Sequence, residues 1–82
     1  MIAPTIKSLL ATENLKRTDA AAALGITAQA MSNKYNRDSF SAEDLLKVAT
    51  AAGYNLAFMR KRDGYTIMFP GPVDDQDQHK TE

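Results

Sequence analysis

Eighty-two residues leave room for one small domain, and ten Lys and Arg balance ten Asp and Glu, so net charge alone points to no polyanionic partner. With no cysteine and a single histidine, His79, in the polar end of the chain, disulfide, thiolate and histidine-based metal or catalytic chemistry are excluded. No apolar run approaches a membrane span, and Met1 to Lys7 lack the layout of a secretory signal, so the chain reads as cytoplasmic and non-enzymatic.

Pro4 suits the first position of a helix, where its missing N–H is not needed. Ile6, Leu9 and Leu10 then repeat at i, i+3 and i+4, which predicts an amphipathic helix running to about Glu13. Asn14 and the pair Lys16-Arg17 interrupt it. Ala20 to Leu24 predict a second short helix of high intrinsic propensity, ended by Gly25. Thr27 can cap a third helix, Ala28 to Tyr35, followed by a polar loop from Asn36 to Ser39. Ser41 with Asp44 three residues on resembles a capping box, and Leu45, Val48, Ala49 and Ala52 make the buried stripe of a fourth helix. Gly53 ends it.

The period then changes. Residues 55–62 and 65–69 are rich in strand formers, and Asp63-Gly64 between them is the two-residue signal for a type I′ hairpin turn. That turn pairs Arg62 with Tyr65, Arg60 with Ile67, Met59 with Met68 and Phe58 with Phe69. Leu56, Phe58, Tyr65, Ile67 and Phe69 share one face, expected to seal against the helices. Ala57, Met59, Thr66 and Met68 share the other, which is left over as a homodimer interface. Arg60-Lys61-Arg62 reads as a charged strand edge. Pro70-Gly71-Pro72 stops the structure, and residues 70–82, with four acids and one base, read as a disordered acidic tail. Residues 1–69 are thus a single domain, with its hairpin at 54–69. Nine bases against six acids leave this body at +3.

A helix, a short turn opening with Gly, and a second helix make a helix-turn-helix unit. The stretch Leu15 to Tyr35 resembles the signature of the lambda-repressor-like, or XRE-type, DNA-binding family. The resemblance lies in Ala21, Leu24-Gly25-Ile26, the cap at Thr27, the apolar Met31 and the helix from Ser41 to Gly53, and it covers residues 5–53. It implies a mainly α domain of four helices with a C-terminal β-hairpin. The hairpin stands where a fifth helix is usual, and looks like the Cro-type arrangement in which terminal strands form a dimer. Three positions depart from the pattern. Lys16 stands where Thr or Ser commonly caps the second helix, Arg17 where Gln is common, and Tyr35 closes the third helix one place late.

On a helical wheel Ala28, Gln29, Ser32, Asn33 and Asn36 fall within an arc of about 140°. Such a small polar face can enter a major groove. Gln or Asn can pair bidentately with adenine, and an alanine methyl can meet a thymine methyl. The resemblance implies base reading by Ala28, Gln29 and Asn33, and phosphate contact by Arg17. Thr27, Ser32, Lys34, Asn36 and Arg37 are further candidates for the DNA backbone. A merely solvated helix face is the plain alternative. The expectation is therefore a nucleoid-associated, sequence-specific transcriptional regulator that binds two-fold double-stranded DNA as a homodimer. No cofactor, metal, small-molecule ligand or membrane is expected. The alternative is an antitoxin or other interaction module, whose hairpin or acidic tail binds a partner protein.

Overall fold

Four helices and one hairpin follow in chain order: α1 (Ala3–Thr12), α2 (Arg17–Leu24), α3 (Ala28–Arg37), α4 (Ala42–Ala52), β1 (Ala57–Met59) and β2 (Thr66–Met68). The computed structural model describes residues 1–70. The acidic tail expected over residues 70–82, His79 included, lies outside the described residues from residue 71 onward. No helix among the described residues is long and apolar enough to cross a membrane.

Met31 is the centre of the core. It is fully buried, with Ile6 and Leu10 of α1, Ala20 and Ala21 of α2, and Val48 of α4 in the same buried cluster. Burying a methionine side chain contributes about 1.5–3 kcal/mol, and the alanines let α2 approach closely. Leu9, Leu15, Leu24, Ile26, Tyr35, Phe40 and Leu45 pack around this centre. The apolar spacing in α1 and α4 thus points where it was expected to point.

The start of α2 accounts for one of the three departures from the family pattern, Lys16. Lys16 has no side-chain acceptor, yet α2 starts directly after it, because Asp19 reaches back to accept the Lys16 N–H at 2.8 Å. In α4 the expected capping box is complete: Ser41 Oγ accepts the Asp44 N–H, and Asp44 Oδ2 accepts the Ser41 N–H, both at 3.0 Å. The third helix is longer than the sequence suggested. Asn36 and Arg37 are helical rather than part of a loop, and Asp38 ends α3 in the left-handed region at φ +53°. Asp tolerates that conformation better than most residues.

The hairpin departs from expectation in two ways. Its register pairs Ala57 with Met68, Phe58 with Ile67 and Met59 with Thr66, two residues away from the register of a two-residue turn. A type I′ turn needs positive φ at both central residues. Gly64 has φ +79°, but Asp63 does not join it in the positive region. Instead the chain closes a four-residue loop between Arg60 and Tyr65, with the Gly64 N–H donating to the Arg60 carbonyl at 2.8 Å. Asp63 holds that loop by accepting from Arg60 Nε and from the Tyr65 N–H, each at 3.0 Å. A shift of two keeps every side chain on its expected face.

The second departure concerns burial. The face bearing Phe58 and Ile67 does not seal against the helices: these residues are 68% and 61% exposed. Only Leu56 and Phe69, at the base of the hairpin, are partly covered. Phe58 packs instead on Phe69 of its own hairpin, with ring centroids 5.1 Å apart. Beneath that base an apolar groove of about 410 Å³ opens between α1 and α4, lined by Ile6, Leu9, Leu45, Val48, Ala49 and Leu56.

Candidate nucleic-acid interface

The α2–α3 unit is built around its turn. Gly25 takes φ +73° to close α2, the Ile26 N–H returns to the Ala21 carbonyl at 3.0 Å, and Thr27 begins the next helix. Only glycine reaches that backbone region without steric cost. Thr27 Oγ1 accepts the Ala30 N–H at 3.0 Å, which caps α3 and leaves the hydroxyl proton free to donate outward. With Met31 buried against α1, α2 and α4, the opposite side of α3 is turned to solvent.

Gln29, Asn33 and Asn36 occupy that outer side and are all exposed. Gln29 Nε2 donates to Asn33 Oδ1 at 3.4 Å, so the two amides lie side by side, one turn apart. Ala28 and Ser32 sit at the edge of the face, half-buried. Solvent exposure divides the five side chains of the arc into three exposed amides and two half-buried residues.

The expected phosphate contacts differ in how free they are. Arg17, the first residue of α2, and Arg37, in the last turn of α3, are exposed. Lys34 is not free: its Nζ lies 3.0 Å from Asp44 Oδ2, with 29% of its side chain exposed, and it sits above the Phe40 ring. This bridge ties α3 to the start of α4. Burial raises the Asp44 carboxyl, but the Ser41 N–H and the Lys34 ammonium outweigh it and hold it below its ordinary range. Tyr35, at the opposite edge of α3, has its hydroxyl pushed up by burial and partly offset by the nearby Arg17 charge.

Two contacts at this site had no local signal. Asp38 accepts the N–H of Ile2 at 3.0 Å and of Ala3 at 2.6 Å, so the residue that ends α3 also caps α1. Lys7 of α1 lies over the Tyr35 ring, 5.1 Å from its centroid. Both join residues far apart in the chain, which spacing along a single helix cannot reveal.

The four residues expected at a dimer interface lie together on one hairpin face. Ala57 pairs with Met68, Met59 pairs with Thr66, and all four are exposed. Among the described residues no group of His, Asp or Glu side chains is placed to hold a metal ion.

No curated protein and no solved structure matches the chain. A family pattern does match, that of the bacteriophage CI repressor helix-turn-helix domain, over residues 5–64. This span takes in α1 from its third residue, the whole of α2, α3 and α4, the hairpin's first strand and its turn. The buried Met31, the Gly25 turn and the outward amides of α3 all lie within it, and the chain belongs to the bacteriophage CI repressor helix-turn-helix family.

Proposed function

We propose that the protein is a DNA-binding transcriptional repressor that presents α3 to the major groove and reads base edges with Gln29 and Asn33. The observation that carries this reading is the exposed amide pair on the outer side of α3, directly opposite the buried Met31. Amides in that position can each meet an adenine edge, and Ala28 beside them can meet a thymine methyl. Arg17 and Arg37 flank the face as phosphate contacts, with Thr27, Ser32 and Asn36 as uncharged donors. Lys34 reaches a phosphate only by releasing Asp44, so its main role is to orient α3 on α4.

The functional unit is a homodimer joined through its hairpins, acting in the cytoplasm at the nucleoid. Support comes from the apolar hairpin side chains left in solvent, Met59 and Met68 on one face and Phe58 and Ile67 on the other. A two-fold dimer would present two α3 helices to successive major grooves about 34 Å apart. The dimer represses by occupying its site and blocking polymerase. Selection of bound sequences from random duplexes tests the whole reading. The expected product is a two-fold related site, and failure to enrich any sequence would overturn it.

A further inference from the structure

The cations of the body are not equally available. Lys34, Lys47 and Arg60 are engaged with Asp44, Glu43 and Asp63. Among the described residues, Lys7 and Arg17 form no salt bridge, although they belong to different helices and converge on one side chain. Lys7 stands over the Tyr35 ring, and the Arg17 charge acts on the Tyr35 hydroxyl. The three residues line a shallow concavity of about 330 Å³, floored by Leu10, Ala11 and Leu15. Tyr35 is one helical turn beyond Ser32, so this concavity continues the edge of the outer α3 face.

We propose that Lys7, Arg17 and the Tyr35 hydroxyl bind the phosphodiester backbone of one DNA strand beside α3. This rests on the DNA-binding reading above and extends it to α1, which carries no base-reading residue. Two unneutralised cations and a phenolic donor on an open surface match the charge and acceptor pattern of consecutive phosphates. The aromatic ring under Lys7 has a structural part as well. It holds the Lys7 ammonium near one place through its π face, which lowers the entropy lost on contact. Lys7 thereby adds a contact from a helix outside the helix-turn-helix pair.

Titrating a labelled mixed-sequence duplex over a range of KCl concentrations tests this. Lys7→Gln and Arg17→Gln should each flatten the slope of log affinity against log salt by about 0.9 per bound protomer, about 1.8 for the dimer. Tyr35→Phe keeps the ring and should leave the slope unchanged while weakening binding about two- to ten-fold. Lys47→Gln, which removes an equal charge on α4, should leave the slope as in the wild type. A wild-type protein that binds the duplex while Lys7→Gln keeps the full slope would overturn this site alone. An equal flattening by Lys47→Gln, or unchanged affinity in Tyr35→Phe, would do the same. A wild-type protein that binds no duplex would remove the DNA-binding reading with it.

Discussion

Asp38 Oδ1 accepts the backbone N–H of Ala3 at 2.6 Å, joining the end of α3 to the start of α1. α1 has no cap of its own: Ile2 precedes it, and Pro4 inside its first turn brings no N–H. One carboxylate therefore does for α1 what a local Ser or Asp would do elsewhere.

Asp38→Ala should destabilise the protein by about 1–2 kcal/mol, the usual cost of a lost cap. Asp38→Asn keeps an acceptor and tolerates φ +53°, so it should cost less. Asp38→Gly relieves the backbone but leaves the Ile2 and Ala3 N–H groups unpartnered, and should remain below Asp38→Asn. Urea denaturation gives the order. Wild-type stability in Asp38→Gly would show that only the backbone conformation matters.

Asp44 makes stability depend on acid pH. Its folded pKa lies below the ordinary value of 3.8, so the unfolded chain takes up the proton first as pH falls. The contribution is fully present above that ordinary value and is lost as pH drops through the folded one. Asp44→Asn should therefore be less stable than wild type by about 0.5–1 kcal/mol at neutral pH. The gap should close at pH values below about 4. Thermal melts at a series of pH values would show it, and a gap that stays constant down to acid pH would assign Asp44 a packing role only.

The proposed hairpin dimer is open to test by sedimentation. Met59 and Met68 are 69% and 58% exposed, and neither belongs to the helical core. Met59→Lys combined with Met68→Glu should convert a dimer to a folded monomer with unchanged helical signal. DNA affinity should fall with it, since each half then binds alone. A wild-type protein that sediments as a monomer at high micromolar concentration would refute the interface.

What could be read from the chain, and what could not, divides by the range of the interaction. Ile6, Leu10 and Val48 announce their burial by spacing along their own helices, Met31 stands out through the family resemblance, and Gly25 and Thr27 announce a turn by local backbone chemistry. Face assignment in the hairpin was also local, which is why it survived a register change. The α3 end was misjudged because Asn36, Arg37 and Asp38 look like a loop by composition. The partner that steadies Asp38 is 35 residues away, at Ala3. The hairpin turn was misjudged because Asp-Gly fits more than one loop, and here Arg60 draws the Asp63 carboxylate inward. Exposure of Phe58 and Ile67 was hidden for a different reason: apolar content says that a surface wants cover without saying which chain supplies it.

At the site itself the outer α3 face was legible and the charges around it were not. A wheel separates Gln29 and Asn33 from Met31 without any tertiary information. Whether Lys34 faces solvent or Asp44 depends on where α4 begins, and the meeting of Lys7 with Tyr35 depends on how α1 crosses α3.

The central proposal is that α3 reads base edges through Gln29 and Asn33, two of its three exposed amides. The most direct measurement is the affinity of Gln29→Ala and Asn33→Ala for the selected site and for random duplex at one salt concentration. Each substitution should cost about 1–3 kcal/mol on the selected site and clearly less on random duplex. An equal loss on both duplexes, or no loss on either, would contradict base reading by this helix.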